Sequence, residues 1–561
     1  MNEHNLTCNN RNLRTVVSEV LLLILSGFVF SMAFPSFLSK SGFGFLSFIA
    51  LIPVFYVIRK TTWPLAPLYG FIFGFCFYAI FNYWLTTFHP LAILIVTIIK
   101  AVEMTLLFTA LKASDRWVDK KYSFITDGII WVSYAYLSQS WFAGYPYGTI
   151  AYALYDYPLL IQIADIAGIW GITFLMIVPQ SFLGKYFAQK RENNSVSLKT
   201  EIFNSKICII IYLVLLSASL IYSGIALHYW NNREPDKEWH IAAIQHNADS
   251  WEGGYETYRK NFHNLQTMSI QALRENPDMI VWSETAFVPS VSWHTNYPVS
   301  QKTDNEYLEN TAELVKEFVK FGKELPVPLL TGNPTGVLKD QNQPPYDENF
   351  EWNRDDYNSV ILFDGGEIKQ SYEKQHLVPF TEHFPYEKQL PWLYNILKNN
   401  GYHWWLEGEK SVVFETDNGI TFSTPICFED VFGYLIADFV NAGADLIVNM
   451  TNDSWSGSEA AETQHMAMGV FRSVENRKST IRSTNSGITC LIDPSGHVID
   501  PMTPFKMYWK MYDVPVYSDE TNPKTFYTKY SDKTALVFVW CSFIILLMGG
   551  VIELLRKRKN K

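Results

Sequence analysis

The sequence predicts two kinds of fold in one chain: a multi-span α-helical membrane bundle and an α/β domain in which strands alternate with helices. Three observations carry this. Of 561 residues, 48% are hydrophobic and 16% aromatic, yet mean hydropathy is close to zero, so apolar and polar stretches must be segregated. The long apolar runs fall before about residue 230 and after about residue 534, at lengths that match the roughly 20 residues of a membrane-spanning helix. Between them lie short apolar runs that each end in polar residues, interleaved with helical patterns.

Seven candidate spans come first, at about 15–34, 42–58, 65–85, 90–111, 124–142, 158–182 and 207–230, and an eighth at 534–555. The expected organisation is a membrane domain over 1–230, an outward-facing domain over 236–520, and the eighth span followed by the basic tail 556–561. The first run is followed by further spans and not by a small-residue cleavage site, so it reads as a permanent helix. With a cytoplasmic amino terminus, the cytoplasmic loops hold Arg11 and Arg14, Arg59 and Lys60, and the Lys112, Arg116, Lys120 and Lys121 set. The third loop adds Lys185, Lys190, Arg191, Lys199 and Lys206, whereas the short loops opposite offer only Lys40. Loop cations orient spans, which puts both termini in the cytoplasm and the middle of the chain outside.

Lys100, Glu103, Asp127 and Asp165 lie inside or near the ends of spans, where charge is costly. They mark either a polar path through the bundle or internally paired groups. The aromatic, glycine-rich stretch 144–158 suits the headgroup boundary, as an entry for lipid or as an anchor.

The net charge of −10 sits mostly in the middle part and gives no basic face for nucleic acid. Six cysteines lie at 8, 76, 208, 427, 490 and 541, three of them in apolar spans and none in a CxxC pair. This favours neither a disulfide framework nor a zinc site, and no metal or cofactor is expected.

In the middle part, strands are expected at 240–247, 279–284, 327–333, 420–427, 446–452 and 487–500. Residues 360–374 read as a hairpin turning at Asp364-Gly365-Gly366. Helices are expected at 255–275, 305–322 and 464–476. Such a βα alternation gathers polar strand ends at one sheet edge.

Three strand ends carry candidate chemistry. Cys427 closes the run GITFSTPIC, and a thiolate there is a nucleophile once a base deprotonates it. Glu284 closes DMIVWSE, as a positioned base or a helix cap. Lys374 follows the hairpin and offers a cation for a developing oxyanion. The competing reading is an inert buried thiol with unrelated surface Glu and Lys residues.

These residues resemble the bacterial apolipoprotein N-acyltransferases, which join a multi-span membrane part to a nitrilase-like domain. The likeness rests on VWSETA at Glu284, YNS at 357–359, KQHLVPFTEHFP from Lys374, ICFED at Cys427 and NMTNDSW at 449–455. It extends to QH at 464–465, RSVENRKSTIRSTNSGIT at 472–489, and GYPYG and ADIAGIWGITF in the membrane part, in the same order along nearly the whole chain.

The resemblance implies an αββα sandwich facing the periplasm from the inner membrane, with Glu284, Lys374 and Cys427 as a triad. By similarity Glu382 supports the triad, Phe428 and Glu429 flank the nucleophile, and Trp251 and Trp455 line the substrate path; for Trp251 plain packing competes. Phe428 departs from the tyrosine often found there, which removes any hydroxyl contribution, and Ser456 replaces a usual aromatic. The implied reaction takes an acyl chain from a phospholipid, phosphatidylethanolamine, through a Cys427 thioester to the α-amine of a diacylglyceryl-cysteine lipoprotein, with the enzyme a monomer. Residues 287–298 and 401–408 are candidate lids or ordinary surface loops. The alternatives are a membrane-anchored amidohydrolase of small amides and a scaffold or transporter with an inactive domain.

Overall fold

The structure is a computed structural model that describes residues 12–88, 90–141, 144–298, 305–346, 352–384, 386–399, 404–518 and 521–559. The chain divides into two compact units, 1–225 with 532–561, and 226–531.

In the first unit the elements are helical. Among the described residues, six helices are long and apolar enough to cross a membrane: Leu13–Met32, Trp63–Phe81, Leu91–Trp117, Ala164–Glu192, Lys206–Asn232 and Lys533–Arg558. The stretch 42–58, expected as a single span, is instead a 3-10 turn at Gly44–Phe48 and a helix of nine residues, Ile52–Lys60. Nine residues rise about 14 Å, short of the ~30 Å hydrocarbon core. Gly42 at φ +75° turns the chain, and Gly44 lets the Ala153 carbonyl approach so closely that a Cβ would lie 2.5 Å from its oxygen. The fifth expected span is the helix Ser123–Ser140, which buries Thr126, Asp127, Ser133 and Ser138 and falls outside the six. Gly70 and Gly74 of Ala66–Phe81 lie against Met104 and Ala101, with room for no side chain; small residues allow such close helix contact.

Each charge singled out in the spans has an internal partner. Lys100 pairs with Glu103 at 2.5 Å, Asp127 with Lys185 at 2.7 Å, and Asp165 accepts from Tyr222 Oη at 2.6 Å.

The second unit holds two six-stranded mixed sheets. The first runs, in spatial order, Tyr508–Val516, Lys237–Gln245, Met279–Val281, Leu329–Gly332, Ser359–Asp364, Glu367–Glu373. The second runs Val498–Ile499, Cys490–Ile492, Thr480–Thr484, Leu446–Thr451, Thr421–Ser423, Phe414–Glu415. Their inner faces meet through hydrogen bonds such as Thr489 Oγ1 to Gln245 Oε1 at 2.9 Å and Ser483 Oγ to the Val281 carbonyl at 3.3 Å.

Helices Tyr255–Ala272 and Glu306–Glu324 cover the first sheet with a core of Phe262, Trp282, Phe287, Phe318 and Phe363. Helices Gly433–Ala442 and Glu459–Asn476 belong with the second. This is the expected αββα sandwich. The hairpin is as expected, a two-residue Gly365-Gly366 loop with both φ angles positive, +58° and +85°, the conformation that tight hairpins require.

Six described strands have no counterpart in the sequence expectations: Thr335–Leu338, Arg354–Tyr357 and Trp405–Leu406, which form a small third sheet, the short Phe414–Glu415, and two longer strands of the main sheets. Thr480–Thr484 is buried throughout but carries Arg482 at its centre, which broke the apolar pattern. Tyr508–Val516 pairs antiparallel with Lys237–Gln245 as an edge strand, where lysine, aspartate and proline are tolerated.

Phe318 is fully buried and stacks on Phe287 with ring centroids 4.0 Å apart. Phe318→Ala is expected to destabilise the second unit by about 3–5 kcal/mol, read as a lowered thermal unfolding midpoint; an unchanged midpoint would show that this core is not continuous.

Candidate active site

Cys427 lies just past the last bridge of its strand, where Ile426 pairs with Met450, and opens the 3-10 turn Cys427–Val431. Its φ is +50°. A left-handed non-glycine residue costs about 1–3 kcal/mol and persists only where its surroundings enforce it.

The buried Glu429 carboxylate provides that enforcement. It accepts from Ile426 N at 2.7 Å, Gln375 N at 2.7 Å, His376 N at 3.0 Å and Tyr372 Oη at 2.8 Å. Glu429 thereby fastens the cysteine turn to the segment just after Lys374. Burial pushes its pKa up to about 7 against the pull of these donors.

Lys374 is fully buried at the end of Glu367–Glu373. Its Nζ stands 2.9 Å from the Glu382 carboxylate and 3.6 Å from Glu284 Oε1. Burial by itself would lower the lysine pKa, but the Glu382 and Glu284 carboxylates outweigh it and hold the ammonium charged. Asn358, at the start of the adjacent strand, donates to Glu284 at 2.8 Å and Glu382 at 3.1 Å. Backbone donors complete the arrangement: Asn452 N to Glu284 Oε2 at 2.7 Å and Val378 N to Glu382 Oε2 at 2.8 Å.

The electrostatics set the protonation states. Burial raises the Glu284 pKa above that of a free carboxylate, with Lys374 opposing. The Cys427 thiol is held well above its ordinary value, first by burial and then by the Glu284 carboxylate, while Lys374 pulls it down. The resting sulfur is therefore a neutral thiol beside a carboxylate made more basic than usual. Such a site can transfer the thiol proton as the sulfur attacks.

A second charged cluster backs the cysteine. His465 bridges Asp430, at 2.9 Å, and Asp453, at 3.0 Å, and Arg482 pairs with Asp430. Asp430 belongs to the cysteine turn, and Asp453 follows the Asn452 whose amide holds Glu284. The cluster thus joins the turn of Cys427 to the turn whose amide holds Glu284. Asn358 and His465 lie in the YNS and QH motifs, which by themselves give neither residue a role; Asp453 and Arg482 lie in the polar runs NMTND and TIRST, the signal for the rest of the cluster.

The other expected residues surround this centre. Phe428 is buried beside Phe432, ring centroids 5.1 Å apart. Trp455 is partly buried in the turn Ser454–Ser456, and Ser456, itself buried, donates to Glu462 at 2.5 Å. Trp251 is 64% exposed on a turn that reaches the Trp455 turn through Ser250 and Asn452, 3.0 Å apart. In the candidate lid 287–298, Trp293 is buried and stacked with Trp352, so this segment packs inward. Of the other candidate lid, residues 401–403 lie outside the described residues.

Two stacked mixed sheets that deliver a carboxylate, a lysine and a strained cysteine to one edge define an enzyme of the nitrilase superfamily. The carbon-nitrogen hydrolase model matches residues 240–507, and the apolipoprotein N-acyltransferase N-terminal domain model matches 26–181. Apolipoprotein N-acyltransferase 1 of Treponema denticola is 36% identical over 94% of this chain and 95% of its own. Its Treponema pallidum namesake is 32% identical over 98% of each, and the Borreliella burgdorferi apolipoprotein N-acyltransferase 29% over 95% and 96%. The chain belongs to the apolipoprotein N-acyltransferase family.

His465 has its pKa raised from 6.5 to about 9: burial opposes the shift, and Asp453 and Asp430 overcome it. A raised folded-state value means that the stabilisation is complete below the unfolded value of about 6.5 and is lost as pH rises through about 9. The unfolding midpoint is expected to fall more steeply between pH 7 and 10 in the native protein than in His465→Gln; parallel curves would sink the bridging role.

Proposed function

We propose that this chain acylates the free α-amine of the diacylglyceryl-cysteine of a lipoprotein, drawing the acyl group from a membrane phospholipid through a thioester on Cys427. The observation that carries this reading is the Glu284–Lys374–Glu382 cluster beside a strained thiol, in a chain with six potential membrane helices among its described residues and N-acyltransferases as relatives over 94% and 98% of it.

In the first half-reaction Glu284 takes the Cys427 proton as the sulfur adds to the sn-1 ester carbonyl, with phosphatidylethanolamine as the donor. Lys374 and backbone N–H groups stabilise the oxyanion. The ester C–O bond breaks, Glu284 returns the proton to the leaving oxygen, and a lysophospholipid departs. In the second half-reaction the acceptor amine adds to the thioester, Glu284 removes its proton, and the C–S bond breaks. The leaving sulfur recovers the proton. Donor product leaves before acceptor reacts, so ping-pong kinetics follow.

Glu382, Glu429 and Phe428 position the machinery, while Trp251 and Trp455 stand at the mouth of the substrate path. The excess of loop cations on one side of the spans supports a periplasmic catalytic domain in the inner membrane and cytoplasmic termini. The enzyme works as a monomer.

Incubation of the purified chain with labelled phospholipid should give an acyl-enzyme visible by mass spectrometry, absent in Cys427→Ala and slowed about 10²–10⁴-fold in Glu284→Gln. Adding a diacylated lipopeptide should transfer the label. Label on Cys427→Ala, or hydrolysis of small amides with no transfer, would overturn the reading, the latter in favour of an amidohydrolase.

A further inference from the structure

One end of the helical unit holds a basic cavity that the reaction does not use. Gly184 of Ala164–Glu192 lies so close to Ile52–Lys60 that a Cβ would sit 2.6 Å from the Ile52 carbonyl oxygen. This contact brings Lys185 next to the helix carrying Arg59. Pro90–Trp117 adds Lys112 and Asp115, and Ser123–Ser140 adds Asp127.

The ion pairs are Arg59–Asp115 at 2.6 Å, Lys112–Asp115 at 3.0 Å, Lys185–Asp127 at 2.7 Å and Lys185–Asp115 at 4.0 Å. Three buried cations against two carboxylates leave one positive charge uncompensated, in a place where charge is costly. Lys185 is 6% exposed, and its ammonium is turned toward Asp127 and Asp115, which it shares with Arg59 and Lys112.

Arg59, Lys185 and the exposed Lys120 all line the cavity, with Ser123 and Ser205 as neutral donors and Glu201 as the acidic residue on the wall. Lys120 and Glu201 cancel, so the excess charge stands. The cavity is small, with about 20 Å³ open to a water-sized group.

We infer that this cavity binds a phosphate oxyanion, with one oxygen admitted between Lys185 and Arg59 and the remainder held by Lys120 and the serines that share the lining. A phosphodiester supplies the missing negative charge and several acceptors at once. On the proposed orientation this end faces the cytoplasmic leaflet, where anionic headgroups concentrate and basic pockets between spans receive them. The site is then a structural lipid site on the side opposite to the acyl donor. Only the choice of leaflet rests on that orientation; the anion binding does not.

The test uses the full-length protein in neutral detergent. Thermal unfolding is followed with added dioleoylphosphatidylglycerol, dioleoylphosphatidylcholine or inorganic phosphate. Phosphatidylglycerol is expected to raise the native Tm by about 2–4 °C, and phosphatidylcholine to do less. Arg59→Gln leaves two cations for two carboxylates, so it is expected to fold and to lose most of this gain. Lys120→Gln, an exposed position, is expected to reduce it. A gain from phosphatidylglycerol alone identifies a lipid headgroup, and an equal gain from inorganic phosphate identifies the free anion. No gain from either, or a gain that survives both substitutions, overturns the proposal; in the latter case the lipid is acting elsewhere, such as at the acyl-donor site.

Discussion

The fully buried ammonium of Lys374 is the constraint from which the catalytic unit is built. An isolated charge in such a place would be very unfavourable. Here two carboxylates face it, Glu284 and Glu382, and Asn358 and the amides of Asn452 and Val378 donate to them, so each carboxylate oxygen has a partner. These groups come from a strand end and, 74 or more positions further on, from a hairpin and the loop that follows it. Their mutual neutralisation fixes where those segments meet, and the rest of the sandwich holds that meeting point at one edge.

The cysteine is placed by a different device. A left-handed φ directs its side chain off the end of its strand, and Glu429 absorbs the strain by gathering amides from both the cysteine turn and the segment after Lys374. Behind it, Asp430, His465, Asp453 and Arg482 form a compensated cluster that ties the cysteine turn to the turn supporting Glu284. The result is a thiol kept neutral by burial, beside a base kept ionisable by a neighbouring cation. In the proposed mechanism this keeps the thiol unreactive until an ester carbonyl draws its electrons.

The helical unit follows the same rule. Its buried charges occur as pairs, and glycine lets helices approach closely enough to make them. Where the chain breaks, between Gly42 and Ile52, glycine turns replace a continuous span, so apolar length in the sequence overstated helix length. The surplus cation beside Lys185 is a departure from this balance and marks a place for something from outside the chain.

Composition and periodicity alone determined the division into a membrane part and an α/β part, the strands around Glu284 and Cys427, and the Gly-Gly hairpin, because apolar runs and turn residues act locally. They also made the three triad candidates visible as polar residues ending strands. Tertiary structure decided the remainder: the strand through Arg482, the edge strand 508–516, the broken segment 42–58, and the supporting roles of Asn358, Asp430 and His465. The reason is physical. A buried arginine or histidine reads as a surface residue until its counter-charges, some 12 to 52 positions away in the chain, are folded against it.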